Sequence, residues 1–171
     1  MVKIVLNRVL FFFGTLMSDQ VCPCGRGNYV SCCKPLHVGE AKAVTAEQLM
    51  RSRYSAFALH NSDYIVNTTA LGQQQALDQQ AILDWAKSNQ WLKLEIVQAQ
   101  EKVDKNHARV EFKAHYHDGQ LNQVHHEVSH FVRFEERWYF LDPTTDQQIT
   151  MKQACICGSS KKFKQCCAQY L

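Results

Sequence analysis

HARVEFKAHYHDGQLNQVHHEVSHFVRFEERWYFL, residues His107–Leu141, reads as an antiparallel meander. From His107 to His117 the residues alternate. Ala108, Val110, Phe112, Ala114 and Tyr116 face one way, and His107, Arg109, Glu111, Lys113, His115 and His117 the other. A period of two is that of a strand with one buried face. Asp118-Gly119 marks a hairpin turn. A long strand follows from Gln123 to Phe134, and Glu135-Glu136 turns it into a last strand, Trp138–Leu141. Upstream, Leu92, Leu94 and Ile96 predict one more short strand, Leu92–Ile96.

Before the strands the period changes. Thr45 and Gln48 make a capping box. Met50, Tyr54, Phe57 and Ala58 then fall at i, i+4, i+7 and i+8, one face of a helix, with Arg51 and Ser55 elsewhere on it. Asn61-Ser62-Asp63 ends this helix and caps a short segment from Tyr64 to Thr69. Gln73, Gln74 and Gln75 form a polar bridge, and a second helix covers Leu77–Asn89, with Ile82, Trp85 and Ala86 on its buried side. Helices followed by a meander predict an α+β domain with the helices on one face of an antiparallel sheet.

Composition agrees with a folded chain. Of 171 residues, 46% are hydrophobic and 20% charged, which excludes a disordered polyampholyte. A formal charge of +3 is too small to announce a nucleic-acid binder by itself. The eight cysteines stand in two groups of four, Cys22, Cys24, Cys32 and Cys33 near one end and Cys155, Cys157, Cys166 and Cys167 near the other. Each group reads Cys-x-Cys, a short Gly-containing stretch, then Cys-Cys. A bridge within Cys-x-Cys or Cys-Cys needs a strained ring, whereas pairs closed across the loop remain open. Zinc answers the layout better, since two thiolates from a tight turn and two from the end of a short loop can surround one tetrahedral ion. Two filled sites, each about −2, bring the formal +3 to about −1.

CICGSSKKFKQCC (155–167) closely resembles the SEC-C motif of the SecA translocase motor, and CPCGRGNYVSCC (22–33) resembles a second copy, one residue shorter and without the basic run. One copy at each end, with RSRYSAF (51–57) and a strand ending RWYFLD (137–142), is similar to the YchJ-like family from Val21 onward. The resemblance implies a cone-shaped, nuclear-transport-factor-2-like middle domain, which the element order also fits. The expected organisation is an apolar extension at 1–17, a first zinc module at 18–40, the cone domain at 41–150 and a second zinc module at 151–171.

Such a cone often encloses a pocket between sheet and helices. Hydrophobicity alone turns Val124, His126, Val128, His130, Val132 and Phe134 inward. The family pattern Glu-x-Ser-x-Phe falls on Glu127, Ser129 and Phe131, and implies that the opposite face points in. Arg51, Arg53, Tyr54, Glu127, Ser129 and Phe131 are the expected pocket residues. A buried Glu127 needs a partner, which Arg53 or Arg51 would supply as an ion pair fixing helix to sheet. His115, His117, His126 and His130 sit on a polar strand face and carry only a weak case for a further metal. No Gly-x-Ser-x-Gly, phosphate loop or dinucleotide fingerprint appears, so no catalytic residue is assigned.

Residues 1–17, MVKIVLNRVLFFFGTLM, have an apolar run too short to span a bilayer and no small-x-small cleavage pattern. Initiation at Met17 is the simplest reading, ahead of an ordered arm or an export signal. The expectation is a cytoplasmic protein with two zinc ions that is not an enzyme, an adaptor or small-ligand-binding scaffold without membrane contact. The resembling knuckle of SecA-like proteins is a docking element. That implies a protein partner, with ribosome or RNA as the other candidate, met by Lys161, Lys162 and Lys164 beside Phe163. The rival expectation is an enzyme or receptor using Glu127 and Arg53 in the cone pocket.

Overall fold

The structure is a computed structural model that describes residues 20–171. The extension at 1–17 lies outside the described residues. Four helices, α1 (Lys34–His37), α2 (Ala46–Ala58), α3 (Ser62–Asn67) and α4 (Gln79–Ser88), precede strands β1 (Gln90–Gln100), β2 (His107–His117), β3 (Asn122–Phe134) and β4 (Arg137–Leu141). The strands form one antiparallel sheet in the order β1-β2-β3-β4. This is the expected α+β arrangement.

Helix α2 is the pillar of the cone. Thr45 Oγ1 accepts from Gln48 N at 3.1 Å, and Gln48 Oε1 accepts from Val44 N at 2.7 Å. Glu101, just beyond β1, adds a carboxylate at the same helix end, accepting from Ala46 N at 2.8 Å and Glu47 N at 3.1 Å. A negative group there satisfies orphan donors and opposes the helix dipole. The helix stops at His60, whose φ is +58°. His60 N donates to Phe57 O and Asn61 N to Ala56 O, a Schellman ending built without glycine. Asn61 then caps α3, and Asp78 caps α4.

The sheet departs from the expected register in β1, which is longer than Leu92–Ile96. Pairing slips between Trp91 and Lys93 and again between Ile96 and Gln98. At each slip an extra residue interrupts the period of two. Leu92 and Val97 therefore point out, 47% and 45% exposed, while Trp91, Leu94 and Ile96 pack inward. The β2–β3 hairpin is closed by four residues, 118–121, because Asp118 Oδ1 accepts from both Gln120 N and Leu121 N.

Strand β3 buries both faces, each against something different. Ser129 and Phe131 face α2, so the face implied by the family pattern is the inner one. The outer residues Val124 and Val128 are exposed, yet Val132 is fully buried. The C-terminal segment lies over that end of the sheet, where Val132, Tyr139 and Leu141 pack with Ile156 and Phe163. Gly72 N donates to Ile156 O at 2.8 Å, and a Cβ on Gly72 would lie 2.9 Å from Ile156 Cα.

Glu135 and Glu136, the two residues between β3 and β4, have φ of +46° and +63°. Two-residue hairpins with this backbone favour Asn-Gly, and a side-chain-bearing residue in the left-handed region costs about 1–2 kcal/mol. The double replacement Glu135→Asn/Glu136→Gly is expected to raise the unfolding free energy by about 1 kcal/mol in urea titration. No gain would mean that the turn is not held in this conformation.

Candidate functional site

The N-terminal cysteines sit on a small hairpin. Cys22 N donates to Gly27 O and Gly25 N to Cys22 O, with Val21 bridging to Asn28. Gly25 and Gly27 have φ of +79° and +70°, which lets the loop turn this tightly. A single 3-10 turn, Tyr29–Ser31, then delivers Cys32 and Cys33. The C-terminal segment repeats the plan. Cys155 N donates to Lys161 O, Ala154 bridges to Lys162, and a 3-10 turn at Phe163–Gln165 delivers Cys166 and Cys167. The first loop is one residue shorter, but both bring four sulfurs together.

Within each group the four Sγ atoms lie within 4.8 Å of one another. Cys24 to Cys32 is 3.5 Å and Cys32 to Cys33 is 3.9 Å. Cys157 to Cys166 is 3.8 Å and Cys166 to Cys167 is 3.9 Å. A disulfide would bring two sulfurs to about 2.0 Å. A tetrahedral ion with metal–sulfur bonds of about 2.3 Å spaces them by about 3.8 Å. All eight cysteines are free thiols, and seven are buried. The donor set and spacing fit a metal ion, and among the described residues these two are the clusters that could hold one.

Without a cation, such a cage supports little negative charge. Hydrogen bonding from Cys33 brings Cys24 down to about 5, while burial pushes Cys32 up to about 12. In the second cage hydrogen bonding from Cys155 lowers Cys157, and burial pushes Cys166 up to about 11. A divalent ion in place of the protons lets all four ionise.

Each cage is anchored to the cone. Ser55 Oγ lies 3.5 Å from Cys22 Sγ, and Arg51 Nη1 donates to Cys24 O at 3.0 Å. His107 Nε2 lies 3.4 Å from Cys167 Sγ. Its Nδ1 meets both Asp104 carboxylate oxygens at 2.9 Å, and Tyr170 donates to Asp104 at 2.8 Å. Alternation placed His107 on a polar face. It is buried because the C-terminal cage covers it. Of the other strand histidines, His126 bonds to Glu111 at 2.9 Å and His125 to Glu127 at 2.7 Å, while His117 Nδ1 accepts from Gly119 N at 3.0 Å.

Between α2, α4 and the inner sheet face is an open cavity of about 200 Å³. Tyr54, Phe57, Trp85, Trp91, Phe112 and Phe140 give it aromatic walls, and Arg53, His125, Glu127 and Ser129 give it polar ones. Sequence periodicity put Trp85 on a buried helix face. It is 42% exposed because it borders this cavity. Trp85 and Trp91 meet nearly edge to face at 5.0 Å. Of the expected pocket residues, Arg53, Tyr54, Glu127 and Ser129 line the cavity. Phe131 is packed in the core, 5.8 Å from Phe140, and Arg51 is turned toward the first cage and Glu47.

The expected Glu127–arginine ion pair is not formed. Arg53 Nη1 donates to Ile65 O at 2.8 Å, Thr68 Oγ1 at 2.7 Å and Thr69 Oγ1 at 3.3 Å, and its guanidinium lies 4.5 Å from the centre of the Phe140 ring. Glu127 instead takes hydrogen bonds from His125 and Ser129, its neighbours on the same strand face. That order matters chemically. The carboxylate stands between serine and histidine, so the imidazole is not placed to take the Ser129 proton, as a nucleophilic triad requires.

The His125–Glu127 contact moves both groups. The Glu127 hydrogen bond raises His125 above its ordinary 6.5. Burial works to raise Glu127, but hydrogen bonds from His125 and Ser129 and the Arg53 charge outweigh it and lower the carboxyl below 4.5. The histidine's contribution to stability is full below 6.5 and fades as pH rises through its raised value. The carboxylate's is full above 4.5 and fades as pH falls through its lowered value. NMR titration is expected to show His125 titrating above the ordinary histidine value, with Glu127→Gln removing most of the upward shift. An unshifted His125 in the unmodified protein would show that the contact is not made.

Comparison with known proteins agrees with these parts. Residues 45–143 match the family described as YchJ, middle NTF2-like domain, and residues 151–169 match the SEC-C motif. A UPF0225 protein of Actinobacillus succinogenes is 47% identical over 152 residues, 88% of this chain and 98% of its own. A UPF0225 protein of Haemophilus influenzae is 47% identical over 158 residues, 92% of this chain and 97% of its own. The crystal structure of a SEC-C motif containing protein from Psychrobacter arcticus is similar with a TM-score of 0.83 and 45% identity, covering 91% of this chain and 99% of that one. The solution structure of a SEC-C motif containing protein from Rhodopseudomonas palustris gives 0.66 and 36%, over 72% and 95%. With a cone and a C-terminal cage that both match, and relatives aligned over nearly their whole length, the chain belongs to the YchJ-like, UPF0225 family.

Proposed function

We propose that this protein is a cytoplasmic, zinc-braced scaffold that holds a small organic ligand in its cone cavity. The observation that carries this reading is the cavity itself, which is open, has aromatic walls and has a buried guanidinium on its polar side. A domain used only as a spacer gains nothing from leaving such a space unfilled, because packing it would add stability. A few converging polar groups in an apolar cleft are the usual form of a small-molecule site.

Zinc is the ion that best suits four thiolates in a tetrahedral cage. Its role here is structural, since four protein ligands leave no open position. Segments of about twenty residues cannot build an adequate apolar interior, and ion binding supplies the missing stability. A reducing compartment keeps such thiols available. Among the described residues no helix is long and apolar enough to cross a membrane.

A second role, docking of an acidic protein partner on the C-terminal module, is favoured by Lys161, Lys162 and Lys164, all exposed. Phe163 between them is buried, so it offers no stacking surface to RNA.

Elemental analysis of protein purified with zinc present is expected to give two ions per chain. Cys167→Ser and Cys33→Ser should each remove about one, and chelation should lower the melting temperature. Two ions retained in both variants would overturn the assignment of ligands. For the cavity, a melting-shift and NMR screen of small fragments is expected to give binders that move the Trp85 and Trp91 indole signals and lose affinity in Trp85→Ala. A screen without such a binder would sink the receptor reading.

A further inference from the structure

The polar groups of the cavity narrow what it accepts. Arg53 is 5% exposed, yet it borders the cavity. Its Nη1 is fully engaged with α3 and the threonines after it. Among the described residues its hydrogen bonds all run from Nη1, and Nε and Nη2 are not sealed from solvent. Donors that keep solvent access at the edge of an open cavity can be met by a ligand acceptor in place of water. Glu127 has the complementary surplus. Ser129 and His125 supply one hydrogen bond to each carboxylate oxygen, and further lone-pair positions remain. Arg53 and Glu127 line the same cavity without an ion-pair contact to each other, which leaves room for a ligand edge to meet both.

Charge decides the next step. The polar lining carries one guanidinium, Arg53, and two carboxylates, Glu127 and Asp142, with His125 bonded to Glu127, so neither sign of charge has the wall to itself. Asp142 lines the cavity as an anion, with Thr144 N and Oγ1 both donating to its Oδ1 and its charge felt by Arg53. His125 is half exposed and bound to Glu127. A ligand anion would be drawn to Arg53 and repelled by Glu127, and a ligand cation the reverse. Either would also give up its hydration on entry. A neutral group that accepts on one side and donates on the other satisfies both residues without that cost. Phe57, Trp85 and Trp91 add ring faces and edges that suit a flat partner. At about 200 Å³ the space is below the roughly 300–1,000 Å³ typical of drug-sized ligands, so the occupant is small.

We propose that the cavity binds a small, flat, uncharged aromatic ligand whose edge carries a hydrogen-bond acceptor next to a donor, the pattern of a carboxamide, a lactam or an amino-heterocycle. The acceptor meets Arg53 and the donor meets Glu127. The proposal rests on the reading of the cavity as a binding site and adds the chemical class of the ligand.

Four probes with one ring and nearly equal size test it: benzamide, acetophenone, benzoate and benzylammonium. Binding is read from the indole N–H signals of Trp85 and Trp91, and folding from the rest of the amide spectrum. Benzamide is expected to saturate these shifts. Acetophenone, which lacks the donor, should bind about tenfold more weakly. Benzoate and benzylammonium should each be weaker than benzamide as well. Trp85→Ala, a change at a half-exposed wall, should weaken benzamide about tenfold while the fold persists. If acetophenone, benzoate or benzylammonium binds as well as benzamide or better, the acceptor-and-donor edge is wrong although the cavity remains a binding site. If none of the four moves the indole signals at millimolar concentration, the proposed ligand class falls. The wider fragment screen separately decides whether the cavity is a receptor.

Discussion

Four sulfurs held within 4.8 Å of one another are the constraint on which both ends of this chain depend. Thiols so close cannot all ionise alone, and their buried positions leave little water to spread the charge. A metal ion would resolve the conflict and turn a crowded loop into a rigid knot. The knots differ in what they hold. The first is tied to α2 through Arg51 and Ser55. The second covers the outer sheet face through Ile156 and Phe163. Each therefore braces a different side of the cone.

The first cage and α3 together enclose the faces of α2 that the sheet leaves open. Leu49, Met50 and Tyr54 of α2 meet the sheet, while Ser52, Arg53 and Ser55, polar residues on other faces, are buried too. A helix so enclosed needs partners for its polar groups. Ser52 finds Tyr64 and Leu49 O, Ser55 finds the first cage, and Arg53 finds α3 with only part of its fork. Arg53 also lines the cavity, so the same packing that stabilises the pillar leaves a charged group at the cavity's edge.

Much of this was legible in the sequence because it rested on short-range chemistry. The alternation of β2, the caps at Thr45 and Asn61, and the two Cys-x-Cys…Cys-Cys groups each report local geometry, and the structure contains all of them. What stayed hidden depended on distant or irregular features. The slips in β1 erased its period, so Leu92 read as inward. The ending of α2 at His60 carries no glycine to announce it. Val132 and His107 are buried by a segment far along the chain, which no strand pattern encodes. The partner of Glu127 was misread because a nearby arginine is the stronger expectation, whereas Thr68, Thr69 and a helix carbonyl claimed Arg53 first.

His107 joins two levels of organisation that are usually separate. It is paired with Val132 in the sheet ladder, and its ring reaches Cys167 on one side and Asp104 on the other. Sliding β2 by one residue would turn that ring to the opposite side of the sheet. The imidazole would leave the sulfur, and the tail would lose its seat. Strand alignment and the seat of the C-terminal cage are thus coupled through a single side chain.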